Sequence, residues 1–226
     1  DRSRVVLESD AIGAAGLGIS NILCLSGDHQ SLGPAPAAKP DQFDMDAIQL
    51  LWMLRRMRDE GRCLDGSEIA NPPRLFLGAA ASPFGATPEF EAIRAEKKVN
   101  AGAQFIQTQP VFDPDRFGEW LEALDRRNLL DKVHILAGIV PLKSARAATF
   151  MSRDVPGVVI PEQIMKRMTG AGDGEAQQEE GVSIAVEILT KLRDTPGIRG
   201  VHIMAIHWES IVPRLVAEAG IAPGVH

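Results

Sequence analysis

The chain has 226 residues, of which 45% are hydrophobic and 24% are charged, so its composition is typical of a folded domain and not of a disordered or fibrous protein. This length suits one substantial core, and we interpret residues 1–226 as a single domain. The net charge of −6 argues against nucleic-acid binding, because phosphate-binding surfaces are clusters of basic residues.

The apolar stretches are interrupted by charged residues well before the roughly 20 residues that span a bilayer. The sequence also begins without a basic segment followed by an apolar one. We therefore expect a cytoplasmic protein without membrane contact. Cys24 and Cys63 are too few for a disulfide framework, and no CxxC or HExxH motif predicts a metal site.

Short runs rich in β-forming residues alternate with longer amphipathic segments along the chain. This alternation is typical of βα units around a parallel sheet and predicts an α/β fold. The predicted strands are 22–26, 75–80, 104–108, 133–138, 158–160 and 200–206. The predicted helices are 4–15, 46–60, 88–100, 114–125, 144–151, 182–193 and 209–219.

Two segments between these elements are predicted as long loops. Residues 30–42 are rich in Pro, Gly and Ala and follow a predicted strand. Residues 170–180 are acidic and Gly-rich, and we expect them to be mobile.

The number of predicted strands leaves two interpretations of the sheet. An eight-stranded barrel needs two more strands, and a barrel that is not closed exposes two edges with unpaired backbone groups. Either an N-terminal part of a barrel is missing from this sequence, or the fold is an open doubly wound sheet.

Five separated blocks of the sequence resemble the methylenetetrahydrofolate reductase family. Residues 18–29, GISNILCLSGDH, are similar to a family pattern GI-x-N-[IV]-L-x-L-x-GD that ends in a functional aspartate. The other blocks are 78–83, 96–109 with Phe112 and Asp113, 138–141 and 200–204. Five blocks in the family's order are far more specific than one short motif.

This resemblance implies a (β/α)8 TIM barrel, with about six of the eight strands in this chain and a single catalytic domain. Barrel enzymes place their active site at the carboxyl ends of the strands. Asp28, residues 80–83, Gln109 and Pro141 each follow or end a predicted strand. We therefore expect these residues to lie close together at the same end of the barrel.

The activity implied by the resemblance is the FAD-dependent reduction of 5,10-methylenetetrahydrofolate to 5-methyltetrahydrofolate, a step of one-carbon metabolism and methionine biosynthesis. NAD(P)H or an electron-carrying partner would reduce the flavin. Some relatives with similar Ser-Gly-Asp-His and Gln-Thr-Gln segments work with an iron–sulfur or zinc partner subunit, so the resemblance also implies an oligomer. Within this chain itself it implies no metal site.

Asp28 and Gln109 are the catalytic and substrate-binding residues that the resemblance implies. A carboxylate beside a flavin and a pterin can hydrogen-bond the substrate and influence the charge on the reduced flavin. An amide offers a donor and an acceptor, which suits a site that two planar rings visit in turn. The alternative interpretations are an aspartate that caps a turn and a polar residue that merely ends a strand.

A larger set of residues matches positions that bind FAD in the family. Adjacent lysines are otherwise typical of a solvated helix face, and short residues can simply pack in a core. The implied cofactor-binding residues are Gly27, Asp28, His29, Phe43, Ala80, Thr87, Glu91, Arg94, Lys97 and Lys98. His202, on an apolar strand, is interpreted as a core histidine with a satisfied ring and not as a base.

The chain departs from the family pattern at several positions. Ser26 and Trp208 stand where other members have arginine, which puts in doubt a flavin contact at the first position and a folate contact at the second. The family's catalytic glutamate lies on a first strand that this sequence does not contain. Without that general acid, we expect the present chain alone to be a poor catalyst.

Three other functions remain open at this point. A folate- or corrinoid-linked methyltransferase built on a barrel would bind folate without flavin. A non-catalytic flavin- or folate-binding subunit would complete its barrel with a partner. An unrelated α/β barrel enzyme would leave the ordered blocks unexplained.

Overall fold

A computed structural model describes residues 2–27 and 44–221, which form an α/β fold. In these ranges the strands are β1 Asn21–Cys24, β2 Phe76–Ala81, β3 Phe105–Pro110, β4 His134–Ile139 and β5 Ile198–Ile203. The helices are α1 Arg4–Gly16, α2 Ala47–Asp59, α3 Pro88–Ala101, α4 Pro114–Asp125, α5 Ala145–Asp154, α6 Glu162–Gly170, α7 Gly174–Arg193 and α8 Val212–Glu218. A short 3-10 helix, Glu209–Ile211, precedes α8.

The strands follow one another through the sheet in chain order, β1-β2-β3-β4-β5. β1 pairs in parallel with β2, and β4 pairs in parallel with β5. A doubly wound sheet reverses its strand order at a switch point, whereas a βα barrel keeps consecutive strands adjacent. The observed order is therefore that of a βα barrel, although the strands of the described ranges do not close into a ring.

Contacts divide the chain into two compact units. The first comprises residues 1–80 and 94–106, and the second comprises residues 81–93 and 107–226. The single domain over residues 1–226 stays a prediction.

The first unit has its core between α2 and the first strands. Asp46 begins α2 with a capping box, in which its carboxylate accepts from the Gln49 amide nitrogen and the Gln49 side chain accepts from the Asp46 nitrogen. The buried face of α2 repeats at helical spacing through Leu50, Leu54 and Met57. The same core contains the buried strand residues Cys24, Leu77 and Ala79.

The second unit is built around α4 and β4. Asp113 caps α4 by accepting from the Arg116 nitrogen, and Pro114 occupies the first turn, where its missing N–H has no cost. Phe117 and Trp120 on the buried face of α4 pack with their ring centroids 5.5 Å apart. The apolar residues of β4 that belong to this core are Ile135, Ala137 and Ile139.

The predicted strand at 158–160 is wrong, because these residues form no strand in the structure. Val158 and Ile160 are buried, as the apolar pattern required. However, the Val158 nitrogen donates to the Val155 carbonyl in a turn, and Pro161 follows at once and leads into α6. A segment this short, between a turn and a proline, has too few free backbone N–H groups to pair with a neighbouring strand.

The predicted mobile loop over residues 170–180 is also wrong in its second half, because α7 begins at Gly174. The segment from Glu175 to Glu180 consists of good helix formers, and Glu175 in the first turn suits the positive end of the helix dipole. Helix α6 was not predicted at all. The predicted loop over residues 30–42 lies outside the described residues.

Candidate functional site

Gln109 lies at the next-to-last position of β3, where a barrel places its functional side chains. Residues 107 and 109 share the half-exposed face of the strand, whereas Ile106 and Thr108 point to the buried face. The side-chain amide of Gln109 forms no hydrogen bond with another residue of the ranges 2–27 and 44–221. Within these ranges, the donor and the acceptor of this side-chain amide are therefore not used by the fold.

The backbone around Gln109 is held by its neighbour Thr108, which is only 3% exposed. The Thr108 hydroxyl donates to the Gln109 carbonyl oxygen at 2.9 Å and accepts from the Gly138 nitrogen at 3.0 Å. The Thr108 carbonyl oxygen in turn lies 2.9 Å from Nε2 of His202. Because a carbonyl can only accept, Nε2 carries the hydrogen of the imidazole.

His202 is confirmed as a histidine whose ring nitrogen is satisfied by the fold. Burial lowers the pKa of His202, and the hydrogen bond to Thr108 opposes this to a smaller extent. The ring is therefore neutral near pH 7.

Ser82 and Gly157 lie beside Gln109 in the second unit. A Cβ built on Gly157 would lie 3.5 Å from Cγ of Gln109 and 3.5 Å from the Ser82 hydroxyl. Gly157 has a φ of +80°, in the left-handed region that favours glycine. The turn at Gly157 therefore lies against the aliphatic part of the Gln109 side chain.

In the first unit, Lys98 and Ala80 are in direct contact. The Lys98 ammonium donates to the Ala80 carbonyl oxygen at 2.6 Å, near the carboxyl end of β2. Arg94 precedes Lys98 by one helical turn, so the two side chains leave α3 on the same face. Arg94 and Lys97 are exposed, and Lys98 is half-buried. This set of cations fits the charge of a diphosphate group.

Thr87 and Glu91 belong to the second unit, at the beginning of α3. The Thr87 hydroxyl accepts from the Phe90 nitrogen at 3.3 Å, so Thr87 caps the helix. Glu91 is only 4% exposed, and one of its carboxylate oxygens would lie 3.1 Å from a Cβ on Gly85. Thr87 therefore has a structural role as a helix cap and Glu91 is buried, and the binding of FAD by either residue stays a prediction.

The segment after β1 contains the remaining predicted residues. Gly27 is exposed, with a φ of +77°. The Ser26 hydroxyl accepts from the Ala47 nitrogen at 3.0 Å and so caps α2, a role that the sequence did not suggest. The predicted residues outside the described ranges are Asp28, His29 and Phe43.

The loops after β4 and β5 lie side by side in the second unit. The Met204 nitrogen donates to the Ile139 carbonyl at 2.7 Å, and the Lys143 ammonium donates to the His207 carbonyl at 3.3 Å. His207 has a φ of +56°, which is rare for a residue with a side chain. Its nitrogen donates to the Glu209 carboxylate, which stabilises this turn.

Two residues near Gln109 were not predicted to be part of the site, namely Thr108 and Gly157, whereas Ser82 lies in the segment 80–83 that was expected at the carboxyl ends of the strands. Ser82 and Thr108 stand within blocks of family resemblance, but nothing local to them indicates which atoms they contact. The Pro156-Gly157 pair does predict a turn, although not its position beside Gln109.

Two further features are absent from the described ranges. Residues 2–27 and 44–221 contain no group of three or more side chains that could hold a metal ion. Nor does any helix in these ranges have the length and apolar character needed to cross a membrane.

The strand order and the polar residues at strand ends are those of a βα-barrel protein with its site at the carboxyl ends of the strands. A sequence model of the family described as methylenetetrahydrofolate reductase matches residues 1–220, and the chain belongs to this family.

Curated relatives agree with this assignment. Methylenetetrahydrofolate reductase 2 of Schizosaccharomyces pombe is 26% identical over 209 residues, which cover 90% of this chain and 32% of the relative. A probable methylenetetrahydrofolate reductase (NADH) of Oryza sativa subsp. japonica is 26% identical over 211 residues, which cover 90% of this chain and 34% of the relative. The chain thus spans about a third of the length of these relatives.

A solved structure supports the fold independently. It is an uncharacterized protein from Clostridium thermocellum that binds two copies of 5-methyl-5,6,7,8-tetrahydrofolic acid. The match has a TM-score of 0.50 and 16% sequence identity, and it covers 96% of this chain and 87% of the other. At this identity the likeness concerns the fold alone.

Proposed function

We propose that this chain contributes the folate-binding and flavin-binding site of a methylenetetrahydrofolate reductase, which converts 5,10-methylenetetrahydrofolate to 5-methyltetrahydrofolate. The observation that carries the proposal is the position of Gln109. Its side chain is half-exposed at the carboxyl end of β3, and its backbone carbonyl is held by the Thr108 hydroxyl. Family membership supplies the reaction. Asp28 is proposed as a second residue that contacts the substrate.

The pterin ring of a folate presents a row of hydrogen-bond donors and acceptors along one edge. An amide can pair with such an edge because it donates and accepts at the same time. No described residue forms a hydrogen bond with the side-chain amide of Gln109, so its donor and its acceptor are both available to a ligand. We therefore assign Gln109 to binding and orienting the substrate ring.

The cations of α3 are proposed to hold the diphosphate of FAD, which, once reduced by the electron donor, would supply the hydride for the methylene group. Lys98 is anchored at the end of β2 through the Ala80 carbonyl, which places its charge near the carboxyl end of that strand. Arg94 and Lys97 are exposed and can offset further phosphate charge. The other residues proposed to bind FAD are Gly27, Asp28, His29, Phe43, Ala80, Thr87 and Glu91.

NAD(P)H is the proposed source of reducing equivalents, in keeping with the NADH form named for the rice relative. An electron-carrying, iron–sulfur or zinc subunit is the alternative reductant, and it implies a hetero-oligomer. We place the protein in the cytoplasm. A folate- or corrinoid-linked methyltransferase is the competing function, and it predicts folate binding without flavin.

The test uses the purified chain and measures two ligands separately. Bound flavin is read from the visible absorbance spectrum, and binding of 5-methyltetrahydrofolate is measured by calorimetry. We expect both ligands to bind and Gln109→Ala to weaken folate binding by about 10- to 100-fold, the loss expected for one or two hydrogen bonds. Gln163→Ala, which changes an exposed glutamine on α6, is the matched control.

Each outcome separates the candidates. Folate binding without flavin would favour the methyltransferase. Binding of both ligands, with no methylene reduction even when the full-length chain is assayed, would favour a non-catalytic subunit. Equal affinity for folate in the wild type and Gln109→Ala would contradict the assigned role of Gln109.

A further inference from the structure

The hydrogen bonding between β3 and β4 is irregular at Thr108. The Gly138 nitrogen donates to the Thr108 hydroxyl, although in a regular parallel ladder a main-chain carbonyl would accept this hydrogen. The Thr108 hydroxyl in turn donates to the Gln109 carbonyl, and the Thr108 carbonyl accepts from Nε2 of His202. Side-chain and main-chain atoms of Thr108 thus bond to both neighbouring elements directly before Gln109.

His202 reaches Thr108 by passing over β4. In the sheet register His202 is paired with Gly138, and paired residues direct their side chains to the same face. Gly138 has no side chain, which leaves room for the imidazole to extend to β3. A Cβ at Gly138 would overlap the Thr108 carbonyl oxygen and lie 3.0 Å from Nε2 of His202.

The two peptide groups that flank Gln109 are therefore both fixed. The Thr108 carbonyl belongs to the peptide group before Gln109, and His202 donates to it at 2.9 Å. The Gln109 carbonyl belongs to the peptide group after it, and the Thr108 hydroxyl donates to it at 2.9 Å. Because each peptide group is planar, these two bonds restrict the backbone rotations that direct the Gln109 side chain.

We infer that His202 is a positioning residue for Gln109, which acts through the Thr108 carbonyl and does not itself touch the substrate. This inference rests on the proposed function, in which Gln109 binds the folate ring. It assigns to a residue on β5 an effect on ligand binding at the end of β3.

The experiment compares two substitutions of His202. His202→Leu removes the donor, whereas His202→Gln keeps an N–H at a similar reach. We expect His202→Leu to weaken binding of 5-methyltetrahydrofolate by about tenfold, in line with the loss of one ordered contact, and His202→Gln to recover most of this affinity. The amount of bound flavin is measured in parallel and should not change. A general loss of structure would reduce flavin binding as well.

A double-mutant cycle with Gln109→Ala tests whether His202 acts through Gln109. In the Gln109→Ala background, His202→Leu should have no further effect on folate binding. The same tenfold loss in both backgrounds, or no recovery in His202→Gln, would overturn the inference.

A second pair of variants covers the case in which His202→Leu fails to fold. Thr108→Ser keeps the hydroxyl that holds the Gln109 carbonyl, and Thr108→Val removes it with little change of shape. Folate binding should survive in the first and weaken in the second, and equal binding would contradict the positioning scheme. If the wild type binds no folate, the proposed function fails. If Gln109→Ala weakens binding and His202→Leu does not, only the positioning role fails.

Discussion

The ammonium group of Lys98 lies 2.6 Å from the carbonyl oxygen of Ala80, so a helix side chain is anchored to the end of β2. Its neighbour Lys97 is exposed on the same helix. The sequence could not separate these two lysines, because adjacent positions of a helix differ in burial only through what packs against them. The structure shows that one is tied to the sheet and the other faces solvent.

This difference predicts unequal effects on stability. Lys98→Met should lower the free energy of unfolding by about 1–2 kcal/mol, because it leaves the Ala80 carbonyl without this donor. Lys97→Met should change it by less than about 0.5 kcal/mol, as is usual for an exposed side chain. Urea unfolding monitored by circular dichroism measures both, and equal losses would count against the anchoring role of Lys98.

Gly181 gives a prediction about packing. It lies inside α7, and a Cβ there would overlap the carbonyl oxygen of Leu142 in the loop after β4. Gly181→Ala should therefore destabilise the protein by about 2–3 kcal/mol, because backbone must move to accept the methyl group. Gly118→Ala in α4, where a Cβ would meet nothing within 4 Å, should stabilise it by about 0.5–1 kcal/mol. Thermal unfolding of the two variants should shift in opposite directions, and a shared direction would contradict this account.

These glycines also show what the sequence could and could not predict. Helix α4 has the predicted bounds, Pro114–Asp125, because its start is marked by a local Asp-Pro signal. Helix α7 begins well before the predicted residue 182, because Gly181 is not a helix end but a point of close contact with a distant loop. A local sequence pattern can mark where a helix begins, but it does not indicate a close contact with a distant loop.

The same distinction applies to the candidate site. The predicted strand 104–108 ends directly before Gln109, so its position at the end of a strand was predictable, whereas its choice as a site residue came from the family resemblance. The bond between His202 and Thr108 joins residues 94 positions apart, and no local pattern predicts it. The order of the strands, which excludes a doubly wound sheet, likewise became visible only in the pairing.

The ion pair between α6 and α7 predicts a pH dependence. Arg167 donates to both carboxylate oxygens of Glu187, at 2.6 and 2.8 Å. The hydrogen bond from Arg167 lowers the pKa of Glu187 below its ordinary value of 4.5, against a smaller opposing effect of burial. A lowered pKa contributes stability above 4.5 that is lost as the pH falls through the folded-state value.

Glu187→Gln should therefore destabilise the protein at pH 7 but not in acid. Because the Glu187 side chain is 54% exposed, we expect only about 0.5 kcal/mol at pH 7. This difference should shrink as the pH falls below 4.5 and should be smaller at high salt. Urea unfolding at several pH values measures it, and a difference that does not depend on pH would show that the charge of Glu187 is not its cause.

The two cysteines should differ in reactivity because they differ in burial. Cys24 is fully buried on β1, and burial raises the pKa of its thiol to about 12. Cys63 is a free thiol with intermediate exposure. Since the thiolate is the reactive form, iodoacetamide at pH 8 should modify Cys63 in the native protein and leave Cys24 intact. In urea both should react at similar rates, so the labelling of Cys24 followed by mass spectrometry reports opening of the first unit. Modification of Cys24 at the rate of Cys63 without denaturant would mean that β1 and α2 do not enclose this thiol as the structure shows.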